Sequence, residues 1–340
     1  MKEGILLANL GSPDSPKVKD VRRYLAQFLM DKYVIDVPLI LRWLIIYCFI
    51  LPFRPKKSAE AYASIWWDEG SPLIEISKRF FSKFRKEVSV PVSLGMRYGN
   101  PSIQSSIEDL LRQEPELEKI NLLPLYPHYA MSSTKTVVEE TQHVLKKIRP
   151  GVKLEVFPPF YQEEWYISSL LKSIEEVKLD KRRHMLFSYH GLPVRHLIKT
   201  DPSGKWCRNQ KNCCTTTCNI EPNAHETCYS HQVHMTTKKV VENLGLKQDN
   251  YTICFQSRLG RDEWIRPSTE ETLISLAKKG VEDVTVICPA FVADCLETLE
   301  EIKEELKEIF IEHGGKTFEY IPCLNDKDYW VKALASQFQK

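Results

Sequence analysis

The sequence predicts an α/β protein of two similar doubly wound halves, each a four-stranded parallel sheet flanked by helices. Three observations carry that expectation. Short apolar runs alternate with amphipathic helical patterns through all 340 residues, as strands joined by helical crossovers do. Four such runs fall in each half. A weak internal repeat relates the halves: Leu122-Leu-Pro-Leu-Tyr126 and Val286-Ile-Cys-Pro-Ala-Phe291 both place a proline and then an aromatic at the end of a third strand. A chain of this length fills two ordinary domains. The expected division is 1–162 and 163–340.

In the first half, residues 5–10 form the first strand, Gly11-Ser-Pro-Asp-Ser-Pro16 a turn, and Val18–Leu29 an amphipathic helix. Residues 37–53 are the most apolar part of the chain, with Arg42 their single charge. A membrane span needs about 20 apolar residues, and this run is shorter and carries prolines at 38 and 52. It reads either as a buried helix or as an exposed lip that dips into a membrane surface, helped by Trp43, Tyr47, Arg54, Lys56 and Lys57. Strands at 90–97, 120–126 and 154–157 alternate with helical patterns at 101–113 and Thr136–Ile148. The second half repeats the scheme with strands at 184–189, 251–256, 284–288 and 318–321.

The formal charge of +2, with both signs mixed along the chain, gives no reason to invoke nucleic acid. There is no Gly-x-Gly-x-x-Gly and no Walker lysine loop, so nothing supports a nucleotide. The amino terminus runs at once into a strand too short for a secretory core, which reads as the start of a cytosolic protein. Disulfides are not expected among the ten cysteines. Cys48, Cys254, Cys288, Cys295 and Cys323 lie in apolar stretches and read as small buried hydrophobes. The other five, Cys207, Cys213, Cys214, Cys218 and Cys228, form a polar cluster that needs its own explanation.

The stretch Phe187-Ser-Tyr-His-Gly-Leu-Pro193 ends a strand with a histidine, because Gly191 and Pro193 stop the run abruptly. Open α/β sheets place their ligand crevices at such strand ends. Neutral imidazole at His190 suits proton acceptance near pH 7. About a hundred residues on stands Pro289-Ala-Phe-Val-Ala-Asp-Cys-Leu-Glu-Thr-Leu299. At helical spacing its Asp294 and Glu297 share a face with Glu301, so at least one of the three carboxyls should hold its proton more tightly than usual. Glu300, Glu304 and Glu305 read as a solvated face.

These two stretches, in this order, resemble the two signatures of ferrochelatases, the enzymes that insert ferrous iron into a porphyrin to make haem. The resemblance runs from about Gly4 to the last residues and departs from the family only at 207–228. It implies a chelatase-like fold, with Fe2+ and protoporphyrin IX as substrates. His190 and Glu297 would be the catalytic pair that meets the metal, with Asp294 and Glu301 behind them as iron path or proton relay. Ser71, Arg97, Tyr98, Tyr126, Trp264 and Phe291 would contact the porphyrin. The resemblance favours the lip reading of 37–53, hence a cytoplasmic protein held peripherally at the inner face of the membrane, with a homodimer left open. Many family members carry a [2Fe–2S] cluster, here expected on four of the five clustered cysteines. Zinc on Cys214 and Cys218, with His225 or His231, is the other metal reading. Two other functions remain open: a ferrochelatase acting on coproporphyrin III, and a non-catalytic porphyrin or haem carrier.

Overall fold

The computed structural model describes residues 2–339 apart from 179, 181, 182, 210, 259 and 261. It contains eight strands: β1 (Glu3–Asn9), β2 (Val92–Met96), β3 (Lys119–Pro124), β4 (Lys153–Val156), β5 (His184–His190), β6 (Tyr251–Gln256), β7 (Asp283–Ile287) and β8 (Thr317–Ile321). They form two four-stranded sheets, ordered β2-β1-β3-β4 and β6-β5-β7-β8. Every pairing between these strands is parallel. The two orders are the same order, so the internal repeat extends to topology.

Each sheet has its own core, covered on both faces as parallel sheets require. In the first, Leu6, Ala8 and Leu122 pack with Ile107, Leu110 and Val137 from the crossover helices. In the second, Leu186, Val284 and Val286 pack with Leu273, Ile302 and Phe310. The central strands are therefore unbroken apolar runs, whereas β4 and β8 at the edges are half-exposed.

The chain separates into two compact units, but the division differs from 162/163 in three places, the first being that the main boundary falls at 158/159. Residues from 326 onward belong to the first unit. The helix Asp328–Ala335 brings Trp330, wholly buried, to within 6.1 Å of Phe80, and Lys83 clamps Asp326 and Asp328 at 2.9 Å each. Residues 127–130 belong to the second unit, where His128 packs among Tyr161, Tyr189 and Tyr229. Periodicity marks elements along the chain but not which core receives them.

The apolar segment is helical over Leu39–Leu44 and continues as a wider π-helical turn over Ile45–Ile50. Its burial is inverted. Arg42 is 7% exposed, with its guanidinium donating to the Ile35 carbonyl at 3.1 Å. Ile40, Phe49 and Phe53 are 78, 71 and 76% exposed, and Leu39, Leu41, Trp43, Leu44 and Tyr47 join them at the surface. Ile46 and Leu51 are its fully buried apolar side chains. This is an exposed lip, not a buried helix.

Candidate active site

β5 delivers His190 as its last residue, in register with Gln256 at the end of β6. The imidazole is half-buried, and its Nδ1 lies 2.6 Å from the carbonyl of Gly191. A carbonyl only accepts, so Nδ1 carries a proton and, in the neutral ring, the lone pair falls on Nε2. The carbonyl of His190 is itself held by the hydroxyl of Tyr229 at 2.9 Å. Gly191 is required by crowding: a Cβ there would meet the Gln256 carbonyl at 2.8 Å and the Trp264 ring at 3.3 Å. Trp264 thus lies against the residue that follows His190. Phe291 lies on another side, its ring 6.3 Å from the imidazole.

The acidic helix is a π-helix over Glu297–Leu306, with i→i+5 bonding of the kind often found at functional sites. Glu297 opens it and Glu301 lies one wide turn on. Ser257 grips Glu301: its backbone N–H donates to Oε1 at 2.8 Å and its hydroxyl donates to Oε2. Burial pushes the Glu301 carboxyl above the usual carboxylate range, although the Ser257 bonds and the nearby His190 pull it down. Glu304 and Glu305 are exposed, as a solvated face should be.

Asp294 corrects the expectation of three carboxyls on one helical face. It precedes the π-helix, is 5% exposed, and accepts from four donors. Its Oδ1 accepts from Thr298 at 3.0 Å, Tyr320 at 2.5 Å and the Cys323 N–H at 3.4 Å; its Oδ2 accepts from Asn325 at 2.7 Å. These bonds tie β8 and its following loop to the start of the helix.

The first unit holds the other four nominated residues. Arg97 follows β2 and gives one nitrogen to Asp31 at 2.6 Å and another to Thr136 at 2.7 Å. Tyr98 donates to the same Asp31 carboxylate at 2.9 Å and is wholly buried against Phe28 and Tyr24. It is part of the first unit's core. Ser71, just before the helix Pro72–Glu87, is 4% exposed and gives its hydroxyl to Ser12 at 2.7 Å. The ring of Tyr126 is partly exposed, whereas its hydroxyl is buried with no hydrogen-bond partner.

The cysteine-rich segment is ordered by its own hydrogen bonds. Asp201 accepts the backbone N–H groups of Ser203, Trp206 and Cys207 at 2.8–2.9 Å. The carbonyl of Cys213 accepts from Trp206 at 3.0 Å and His225 at 2.8 Å, and that of Cys214 from His231 at 2.7 Å. His225 and His231 stack at 3.7 Å, each with one ring nitrogen on a backbone carbonyl. The Cys213 and Cys214 sulfurs are 3.8 Å apart. Cys214 donates to Cys228, which drives the Cys214 thiol up and the Cys228 thiol down. Burial pushes Cys207 up to about 12, with Cys213 and Cys214 adding to the effect. The Cys218 sulfur instead lies 3.8 Å from the Ile220 carbonyl. Among the described residues no three His, Cys, Asp or Glu side chains are closed around a metal position.

A profile of the family described as Ferrochelatase matches residues 2–340. The chain belongs to the ferrochelatase family. It is 47% identical to the ferrochelatase of Pseudomonas fluorescens strain Pf0-1, over 98% of this chain and 96% of that one. It is also 47% identical to that of Azotobacter vinelandii, over 97% and 96%. The solved structure of SirB from Bacillus subtilis with Fe3+ shares the fold at a TM-score of 0.55 and 13% identity, covering 99% of this chain and 94% of SirB. The chain is therefore an enzyme of haem biosynthesis that inserts Fe2+ into a porphyrin. The carrier alternative is set aside.

Beyond the expected residues, the surroundings of His190 include Gln256, Ser257 and Tyr229, and in the first unit Asp31 holds Arg97. The polar pair Gln256-Ser257 at the end of an apolar strand was the one signal available for the first two. Tyr229 and Asp31 lie in helical or loop contexts that give no such signal.

Proposed function

We propose that the porphyrin is protoporphyrin IX, taken up at a membrane surface, with His190 as the proton acceptor. The observation that carries this is the inverted lip: Arg42 turned inward, and eight large apolar side chains turned out. Fully withdrawing one such side chain from water is worth about 1.5–3 kcal/mol, so partial insertion of Ile40, Phe49 and Phe53 supplies several. A water-insoluble porphyrin would be met where it resides; one with four carboxylates would need no such surface. Among the described residues no helix is long and apolar enough to cross a membrane, so the attachment proposed is peripheral.

At the reacting centre, two pyrrole protons must leave while Fe2+ exchanges its waters for ring nitrogens. Nε2 of His190 is oriented to accept, since Nδ1 is committed to Gly191. Glu297, at the open end of the π-helix, is the partner for that proton or for the arriving iron. Glu301, with its raised affinity for a proton, stands behind it as the next carrier. Trp264 and Phe291 are the proposed ring contacts beside His190.

We further propose a [2Fe–2S] cluster on Cys207, Cys213, Cys214 and Cys228. These four thiols lie within one another's electrostatic reach, and four thiolates are the donor set such a cluster needs. When bound, it adds covalent cross-links to a segment already ordered by hydrogen bonds.

The deciding experiment supplies purified protein with Fe2+ and each porphyrin in turn. Faster insertion into protoporphyrin IX supports the reading; equal or faster insertion into coproporphyrin III overturns it.

A further inference from the structure

Gln256 sits where the two catalytic elements meet. It ends β6 beside His190, is 2% exposed, and uses its main chain and both ends of its amide within the second unit. Its carbonyl accepts the Gly191 N–H at 2.7 Å. Its side-chain Oε1 accepts from Ser188, two residues before His190, at 2.9 Å. Its Nε2 donates to the main-chain carbonyl of Glu297 at 2.6 Å and reaches Glu301 Oε2 at 3.5 Å. One side chain thus spans from the strand carrying His190 to the first turn of the helix carrying Glu297.

Its neighbour completes the hold. Ser257 adopts φ +60°, a left-handed conformation that non-glycine residues rarely take. In that conformation its N–H and hydroxyl point to the two oxygens of Glu301. A hydrophobic residue at 256 would pack as well in this interior, so packing does not explain an amide there. Its two opposed bonds do, because only a group that both donates and accepts bridges Ser188 and the Glu297 carbonyl.

We propose that Gln256, assisted by Ser257, is a positioning residue for iron insertion, fixing the distance between the imidazole of His190 and the carboxyl of Glu297. The inference rests on the assignment of that pair. It needs no contact between Gln256 and the porphyrin, so binding should survive its loss while turnover should not.

The test compares the full-length protein with Gln256→Leu, Gln256→Glu, Ser257→Gly and His190→Ala, assayed with Fe2+ and protoporphyrin IX. Gln256→Leu should lower kcat about ten-fold or more with the porphyrin KM within about two-fold, the split expected when catalytic geometry loosens but binding does not. Gln256→Glu keeps the acceptor for Ser188 but, when ionised, has no proton for the Glu297 carbonyl, so it should lose kcat similarly. Ser257→Gly tolerates the left-handed backbone, removes only the hydroxyl, and should lower kcat roughly five-fold. A folded Gln256→Leu protein with kcat within two-fold of wild type, beside an inactive His190→Ala, overturns the inference alone. If Gln256→Leu does not fold, unchanged kcat in Ser257→Gly overturns it. Turnover retained by His190→Ala overturns the assignment of the pair, and this inference with it.

Discussion

The two halves finish equivalent strand ends in opposite ways. β1 and β5 hold the same place in their sheets, and their last residues are Asn9 and His190. Asn9 is closed locally: its amide donates to Ser77 at 3.1 Å and its oxygen accepts from Leu10 at 2.8 Å. Beside it, in register, is Met96, followed by Arg97, which is paired with the buried Asp31. Beside His190 are Gln256 and Ser257, which hold a carboxyl that burial has made proton-avid. One end matches charge with charge; the other keeps an imidazole lone pair and an acid of raised pKa within reach of each other. A shared scaffold does not share its chemistry, because proton transfer needs groups poised between states and a closed ion pair is not poised. The additions differ as well. The first unit carries the apolar lip, and the second carries the cysteine segment, where buried polar groups are satisfied internally.

The largest expected effect is at the open end. His190→Ala should abolish insertion with the circular dichroism spectrum unchanged, and Glu297→Gln should lose about 10²–10⁴-fold, the range of a general-base contribution. Turnover within a few-fold of wild type would erase the distinction between the two strand ends.

At the closed end the loss should be of stability. Asp31→Ala leaves Arg97 and the Tyr98 hydroxyl without their acceptor and should lower unfolding free energy by about 3 kcal/mol, read by urea denaturation. A loss of turnover with stability intact would instead make this end part of the chemistry.

The lip is next. Replacing Ile40, Phe49 and Phe53 with Ser should move the protein from the membrane to the wash fraction while it remains folded, since all three are mostly exposed. Ile46 is wholly buried, and its substitution should destabilise the fold instead. Sedimentation with vesicles, beside a thermal melt, separates the two outcomes.

The smallest effect on turnover is expected from Cys214→Ser. Iron and acid-labile sulfide should fall from about two each per chain towards zero, as loss of a [2Fe–2S] ligand implies. Turnover should stay within about ten-fold of wild type, because the segment touches the His190 surroundings through Tyr229 on the His190 carbonyl and Arg208 on Glu263, neither of them a reacting group. Zinc without sulfide in the parent protein would replace the cluster by a structural zinc site.

The sequence by itself determined the fold class, the eight strands, the two signature stretches and His190 at a strand end. All are local: periodicity of two or 3.6, a glycine and a proline stopping a run, and residues adjacent in the chain. Only the tertiary structure decided that Trp330 serves the first core, that Arg42 faces inward while Phe53 faces out, and that Asp294 and Tyr98 are buried on their own partners. It alone brought Gln256 between Ser188 and Glu297, partners 68 and 41 residues away along the chain. Spacing on one helix or strand can be read from the sequence because the backbone repeats. Which donor finally meets which acceptor depends on how separate elements pack, and no repeat along the chain encodes it.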